Sequence, residues 1–447
     1  MQKILAITWL TWKAAVRFKL FLVIAALLVA AVVGLPLVIK DDGTAQGFTQ
    51  IILTYTLSVA TGLLGISTLW LSCGTLARDI EECQIQVVAT KPVARWQIWL
   101  GKWLGIVSLN AVLLLIAGGC VYGLLQWRAT RLPPAEQVKL RSSILVARGS
   151  AREASQDAKI EADTREVLTR RVKQNPEITR LSEADKAEVI RQISEQVKAV
   201  YQLVPPAYTR VWKIDLGFAK DSLRGKPLQL RIKFNNANDY QPTTYMGAWL
   251  VGDATSKNVW RSEPMSLASQ TFHEFEIPPD LFNDQGILTI SFYNPNRTAL
   301  LFPLDDGLEV LYPEGSFALN FLRGLAVIFC WMALLAALGL AAASFLSFPV
   351  AAFFSMAMLA LVFSSGTLAE TVAEGTVGVG NEEKGIAGHS AFDVLVIPLF
   401  KGIVAVTDLT KTVSPIDSLS TGRMITWSQL WSAFSQVVLL LGGIFAI

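Results

Sequence analysis

Long apolar runs dominate the chain and are separated by charged or polar stretches. A helix needs about 20 apolar residues to cross the hydrocarbon layer of a membrane, and six runs reach that length. They cover residues 20–39, 51–72, 103–125, 319–343, 348–366 and 427–447. The pattern predicts an α-helical polytopic membrane protein with six transmembrane helices.

The pattern changes between the third and fourth runs. Residues 128–205 are rich in Glu, Lys, Arg, Ala and Gln, which favour helix, and Val189, Ile193, Val197 and Val200 recur at helical spacing. This segment predicts a helical stalk, most simply a hairpin packed on its neighbour; a partner-binding coiled coil is the alternative.

From 206 to 317 the period of the pattern drops to two. Apolar and polar residues alternate in LQLRIKF (228–234) and ILTISFY (287–293), and turn-forming clusters separate these runs. About eight short strands fit this segment, which predicts an all-β sandwich. The complete insert is therefore an α plus all-β domain placed between transmembrane helices three and four.

Composition and charge agree with a membrane location and give it an orientation. Of the 447 residues only 17% are charged, whereas about a quarter are charged in soluble domains, and mean hydropathy is +0.43. The net charge of +3 is too small to indicate nucleic-acid binding. Basic residues precede the first run and fill the gap between the second and third: Lys3, Lys13, Arg17, Lys19, Arg78, Lys91, Arg95 and Lys102. The positive-inside rule therefore places both stretches in the cytoplasm and the insert outside.

Two further segments are predicted to lie at the membrane surface. The first 19 residues form an amphipathic interfacial helix, with Trp9 and Trp12 as anchors. Residues 390–410 are apolar but interrupted by Pro398 and Lys401, which favours an outward interfacial or re-entrant helix. A seventh transmembrane helix is the alternative for that segment.

A charged segment, ARDIEECQIQVVATKPVARWQIWLGK at 77–102, separates the second and third runs. Its acids come first and Lys91 comes near the end, the order that a helix dipole favours. Pro92 disfavours helix at the residue before it, so the helix is expected to stop near Thr90. The segment predicts a short amphipathic helix at about 78–90 on the cytoplasmic side. A linker that contacts only lipid headgroups is the alternative.

This segment resembles the corresponding part of ABC-2 type transporter permeases, where an acidic start leads through a short helix to Pro-Val-x-Arg and Gly-Lys. Cys83 and Gln84 depart from the family, which often has Gly-Thr there. The resemblance implies a coupling helix that docks on a separate ATPase subunit. The residues that it assigns to ATPase coupling are Arg78, Asp79, Glu81, Glu82, Pro92, Arg95, Gly101 and Lys102.

The resemblance also implies partners and a location. The permease is expected to work as a homodimer, or with a related permease, in the bacterial cytoplasmic (inner) membrane. The chain has no GxxxxGK[ST] motif, so ATP and Mg are expected to bind to the partner ATPase and not here. With two histidines and no CxxC, the sequence predicts neither a catalytic residue nor a metal site, and the chain is not expected to be an enzyme.

Two sets of residues are candidates for binding. Small and polar residues recur every three or four positions in the second run, and they predict either a substrate path or close helix packing: Thr54, Ser58, Thr61, Gly65, Thr68 and Ser72. In the sandwich, Tyr240, Trp249 and Trp260 are candidates for stacking on glycan rings, with a place in the core as the alternative.

The sequence thus predicts the membrane-spanning subunit of an ATP-driven exporter. A mechanical transmitter that acts on periplasmic partners without moving a substrate is one alternative. A membrane-anchored glycan-binding protein is another.

Overall fold

The structure, a computed structural model, describes the chain in two compact units. The described residues are 2–17, 20–38, 47, 49, 51–83, 93–140, 144–176, 178, 183–236, 243–252, 258–304, 306–363, 398, 401 and 415–446. One unit comprises Met1–Ala147 and Gly315–Ile447, and the other comprises Arg148–Glu314.

Helices make up most of the first unit, and the second contains both strands and helices. The helices are α1 (Gln2–Arg17), α2 (Leu20–Val38), α3 (Leu57–Glu81), α4 (Arg95–Ala129), α5 (Pro134–Lys139), α6 (Asp157–Gln174), α7 (Glu183–Gln202), α8 (Lys220–Leu223), α9 (Phe317–Phe345), α10 (Phe348–Phe363), α11 (Pro415–Ser420) and α12 (Trp427–Ala446). The strands are β1 (Val146–Ala151), β2 (Leu203–Val204), β3 (Thr209–Asp215), β4 (Leu228–Ile232), β5 (Asn235–Asn236), β6 (Thr244–Val251), β7 (Trp260–Arg261), β8 (Met265–Ala268), β9 (His273–Ile277), β10 (Ile287–Tyr293), β11 (Leu300–Leu301) and β12 (Leu308–Ser316).

Among the described residues, three helices are long and apolar enough to cross a membrane: Ile52–Glu81, which is α3 with a preceding π-helical turn, α4 and α9. A fourth is added if α1 and α2, bent by 69°, count as one broken span. The fifth and sixth predicted runs are helical over 348–363 and 427–446, but neither is among these three. The count of six transmembrane helices stays a prediction, and residues 390–410 lie almost entirely outside the described chain.

Close packing of small residues joins α3 to α9. Ser72 and Gly339 lie so near each other that a Cβ on Gly339 has no room, and the Thr68 hydroxyl lies 3.7 Å from the Met332 sulfur. Lipid tails are as apolar as the helices, so helix association in a membrane depends on such close contacts. The core of this unit is built around this helix pair.

A second close contact packs α1 along the first half of α4. A Cβ on Gly101 would lie 2.7 Å from the Ile7 Cβ, and one on Gly105 would lie 2.6 Å from the Thr11 Cβ. Trp12 Nε1 also donates to Ser108 Oγ at 2.8 Å. α1, the predicted interfacial helix, is amphipathic, and one of its faces packs against α4.

The second unit contains two larger sheets whose apolar side chains share one core. One sheet has the strand order β1-β12-β4-β9; the other has β3-β10-β6-β7, with β8 also paired to β6. Both contribute buried side chains to the same cluster, among them Trp212, Leu230 and Ile290. A small third sheet, β2-β11-β5, completes the strands described. The alternating pattern thus identified the strand at 287–293 correctly, and it identified one at 228–234 that ends two residues earlier, at Ile232.

The outer face of β4 differs from the simple alternation. Arg231 is only 5% exposed, and its register places it opposite Glu309 of β12 and Glu274 of β9. The guanidinium lies 3.6 Å and 3.7 Å from those carboxylates and 3.9 Å from the Phe272 ring. A buried charge needs such partners, so this ladder of charges joins three strands.

The helical part of the insert is a hairpin, as predicted, with two corrections. Ile193 and Val197 of α7 are buried with Ile160 of α6, but Val200 is 73% exposed and lies outside the stripe. The segment 128–205 is also not wholly a helical stalk, because α4 extends to Ala129 and β1 joins the first sheet. β1 therefore belongs with the strands of that sheet and not with the helical hairpin.

We expect Gly105→Ala to destabilise the protein by about 1–3 kcal/mol, the usual cost of forcing a methyl group into a filled contact. The matched control is Gly119→Ala on the same helix, where a Cβ meets no atom within 4 Å. That control should gain roughly 0.5–1 kcal/mol, because alanine favours helix over glycine. Thermal unfolding in detergent measures both changes. Equal shifts in the two variants would contradict the close α1–α4 contact.

Candidate functional site

The residues predicted for ATPase coupling lie where α3 ends and α4 begins. Arg78, Asp79 and Glu81 belong to the last turn of α3 and do not begin a separate helix. This corrects the predicted start of the coupling helix at about 78. Residues 84–92, with Pro92 and the rest of that predicted helix, lie outside the described residues.

A buried ion pair joins the two helix ends. Lys102 is 8% exposed, and its ammonium donates to Asp79 Oδ2 at 2.5 Å and to the Thr75 carbonyl at 2.8 Å. A carboxylate in the last turn of a helix opposes the helix dipole, whereas a cation there is favourable. Lys102 therefore neutralises Asp79 and also satisfies a carbonyl at the end of α3. The pair holds the two helices at a fixed separation.

A second contact joins the end of α3 to the start of α10. Glu81 Oε1 accepts a hydrogen bond of 3.0 Å from the backbone N–H of Phe348, the first residue of α10. An acceptor at a helix start satisfies an N–H that the helix leaves unpaired. The Arg78 guanidinium lies 5.1 Å from the centre of the Phe348 ring. Arg78 and Glu81, both in the last turn of α3, thus contact the same residue, Phe348.

Gly101, also predicted for coupling, has an internal structural role. It lies against Ile7, and its carbonyl accepts a hydrogen bond of 3.1 Å from the Thr8 hydroxyl. Sequence analysis did not identify α1 as its partner. The spacing Gly101-x-x-x-Gly105 was the available signal, because it predicts a close helix contact.

Two predicted coupling residues, Glu82 at the end of α3 and Arg95 at the start of α4, have exposed side chains. Glu82 follows α3 directly, and Arg95 is the first residue of α4. The predicted set therefore divides in two. Arg78, Asp79, Glu81, Gly101 and Lys102 contact neighbouring helices, while the side chains of Glu82 and Arg95 are exposed.

The backbone at Cys83 is left-handed, with φ of 57°. Its N–H donates to the Ile80 carbonyl at 3.1 Å, which ends α3. A left-handed residue after a helix is most often glycine, because a Cβ disfavours this conformation. This is the position where ABC-2 permeases often have glycine, so the departure from that family falls where it strains the backbone.

The stripe predicted as a path or as helix packing divides along α3. Gly65, Thr68 and Ser72 face α9, where an added Cβ on Gly65 would lie 3.5 Å from Leu335 Cδ1. These three residues serve helix packing. Ser58 is exposed, Thr54 is half-buried, and the Thr61 hydroxyl is enclosed without a hydrogen-bond partner in the described structure.

Of the three aromatic residues predicted to stack on glycans, the two that the structure describes pack against other rings. Trp249 is 2% exposed and lies in the core of the sheets, 4.6 Å from the Phe292 ring centre. Trp260 is half-buried and stacks on Phe275 at 5.9 Å. Tyr240 lies outside the described residues. The core alternative therefore holds for Trp249, and burial prevents its ring from meeting a sugar.

No family model, curated protein or solved structure matches this chain. The resemblance to ABC-2 permeases therefore depends on the sequence motif at 77–102 and on the predicted topology.

We expect Asp79→Asn to destabilise the protein by roughly 2 kcal/mol, since it leaves the Lys102 ammonium buried without a charged partner. The loss is below the full cost of breaking a buried pair because 34% of the Asp79 side chain is exposed. The double variant Asp79→Asn with Lys102→Met removes both charges and should recover most of the loss. Denaturant unfolding in detergent measures this cycle. A double variant as unstable as the sum of both single variants would show that the pair is not coupled.

We expect Cys83→Gly to stabilise the protein by up to about 1 kcal/mol, because glycine relieves the left-handed strain but gains entropy when unfolded. Cys120→Gly in the middle of α4 is the control and should destabilise, because glycine disfavours a helix interior. The same unfolding experiment distinguishes them. Loss of stability at both positions would mean that Cys83 is not strained.

Proposed function

We propose that the chain is the membrane-spanning permease subunit of an ATP-binding cassette exporter of the ABC-2 type. In this proposal a separate ATPase binds ATP and Mg, the permease forms a homodimer, and the ATPase docks at the segment between α3 and α4. The sequence motif at 77–102 supports it. So do the three helices that are long and apolar enough to cross a membrane.

The Asp79–Lys102 pair is the observation that carries the proposal. It joins the last turn of α3 to the first turns of α4, with Asp79 three residues before the exposed Glu82 and Lys102 seven residues after the exposed Arg95. A protein that binds at those two side chains would pull on both helices together, because a buried ion pair resists separation. This is the mechanical property that a coupling site needs.

The contacts around this pair extend the same frame. Glu81 connects α3 to the first residue of α10, and Gly101 and Gly105 hold α1 against α4. A force applied at Glu82 and Arg95 would therefore reach four helices, α1, α3, α4 and α10. α3 would carry it further to α9 through the close contact at Ser72 and Gly339.

The mechanical transmitter is a second candidate, favoured by the large unit of helices and sheets at Arg148–Glu314. The chain enters that unit through β1 and leaves it through β12. In this alternative the unit passes movement of the helices to a periplasmic partner. The glycan-binding alternative is not proposed, because Trp249 is buried in the core.

We expect Glu82→Lys and Arg95→Glu each to weaken binding of the partner ATPase about tenfold, the effect of reversing one charge at an interface. Both side chains are exposed, so neither change should unfold the protein. Lys226→Glu, an exposed charge reversal in the sheet unit, is the matched control. Co-purification from membranes with the ATPase, followed by its ATP hydrolysis rate, measures the effect.

Full ATPase binding and activity in both variants would rule out docking through this segment.

Transport into reconstituted vesicles distinguishes the exporter from the mechanical transmitter. An exporter moves substrate when ATP is hydrolysed, whereas a transmitter hydrolyses ATP without flux.

A further inference from the structure

Arg323 is a charged residue within α9, one of the three helices long enough to cross a membrane. The sequence analysis did not single it out, although it lies in the fourth predicted run. A charged side chain inside such a helix is costly unless it has a partner or a function. Its surroundings therefore indicate what it does.

The protein holds the Arg323 side chain in one place. Asn320, one turn earlier on α9, donates to the Arg423 carbonyl at 2.8 Å and accepts from the Ile425 N–H at 2.7 Å. Those two bonds fix the segment that follows α11 against α9. Arg323 Nη1 then donates to the Ile425 carbonyl at 3.1 Å, and its guanidinium lies 4.4 Å from the centre of the Trp427 ring.

The position of Trp427 is equally fixed, because a capping box begins α12. Gln429 accepts a hydrogen bond of 2.9 Å from the Thr426 N–H, and the Thr426 hydroxyl accepts one of 3.3 Å from the Gln429 N–H. This reciprocal pairing satisfies two N–H groups at a helix start. The guanidinium therefore lies between two ordered elements.

The charge of Arg323 has no anionic partner among the described residues. No carboxylate of the described chain lies within 4.0 Å of it, and Ile425 accepts its one hydrogen bond there. A guanidinium has five N–H donors in a planar fork, so most of its capacity is unused. Its Nε is enclosed without a partner, while the side chain as a whole is half-buried. The site is built to receive an anion.

The depth of Arg323 fits the phosphate level of a lipid layer. α9 has 29 residues, or about 43 Å of helix at 1.5 Å each, while the hydrocarbon layer is about 30 Å thick. Arg323 is the seventh residue, roughly 9 Å from the helix start, so it lies near the edge of that layer. Trp427, like other membrane tryptophans, favours the same level.

An apolar stripe leads away from this position along α12. Trp427, Trp431 and Phe434 are 55%, 66% and 50% exposed, and Val438 continues the same helical face. The stripe provides a surface for an acyl chain beside the guanidinium. A free phosphate ion would use the charge but not the stripe.

We propose that Arg323 and Trp427 bind the phosphate of an anionic phospholipid, whose acyl chain lies along Trp431, Phe434 and Val438. The planar fork of arginine matches two phosphate oxygens, which makes this a charge-assisted, bidentate contact. The inference depends on one part of the proposed function, the location of the chain in a membrane. It does not depend on the partner ATPase.

The test measures lipid preference of the full chain in phosphatidylcholine vesicles that contain spin-labelled phosphatidylglycerol or spin-labelled phosphatidylcholine. The wild type should immobilise phosphatidylglycerol preferentially. Arg323→Gln should reduce that preference about tenfold, the equivalent of one charge-assisted contact. Arg323→Lys should keep part of it, because lysine retains the charge but not the planar fork.

Arg131→Gln is the matched control. Arg131 also lies over a tryptophan, 4.1 Å from the centre of the Trp127 ring, but its side chain is exposed at the end of α4. This variant should keep the wild-type preference, so a loss there would attribute the effect to general surface charge and overturn the proposal.

Three other results would also overturn it: no preference in the wild type, an unchanged preference in Arg323→Gln, or displacement of the lipid by inorganic phosphate. The last would identify a site for a soluble anion. If Arg323→Gln does not fold, Trp427→Leu is the deciding variant. It preserves the hydrogen bond from Arg323 to the Ile425 carbonyl but removes the tryptophan ring. An unchanged preference for phosphatidylglycerol in Trp427→Leu would then contradict the proposal. The measurement needs no ATPase, so its outcome is independent of the coupling experiment.

Discussion

The helical unit depends on one constraint: a lysine ammonium buried among apolar helices must be paired. Lys102 is paired by Asp79 and the Thr75 carbonyl, and this fixes where α3 ends relative to where α4 begins. Other contacts at that end join further helices. Glu81 accepts a hydrogen bond from the first N–H of α10, and Gly101 and Gly105 lie against α1.

Small residues and charged residues have different tasks in this unit. Glycine and serine permit close contact between helices, at Gly105 against Thr11 and at Ser72 against Gly339, where dispersion replaces the missing hydrophobic driving force. Charged residues lie near helix ends, where they satisfy backbone groups: Lys102 at the end of α3, Glu81 at the start of α10 and Arg323 beside α12. The proposed docking and lipid sites both lie beside these end contacts. The docking site has exposed Glu82 and Arg95, and the lipid site has a guanidinium without an anionic partner among the described residues.

The sheet unit solves a related problem in a different way. Arg231 is buried on the outer face of β4, and the strand register supplies Glu274 and Glu309 as its partners. Burial also raises the pKa of Tyr312, on the neighbouring strand, to about 12, with Glu314 contributing. Helix α6 of the same unit carries exposed ion pairs instead, between Arg165 and Glu161 and between Arg170 and Glu166.

Hydrophobic periodicity by itself determined the long helices, the hairpin and the strands at 228–232 and 287–293, because burial selects residues at the period of each element. The charge order at 77–102 also marked the segment where Glu82 and Arg95 lie. Tertiary structure alone decided which side chains share a contact. Lys102 and Asp79 are 23 residues apart, Arg323 meets Ile425, and Trp249 turned out to be core, because contacts between distant segments leave no periodic signal. The same limit explains Arg231 and Val200: a pattern gives the face of an element, but the neighbour that covers that face comes from elsewhere in the chain.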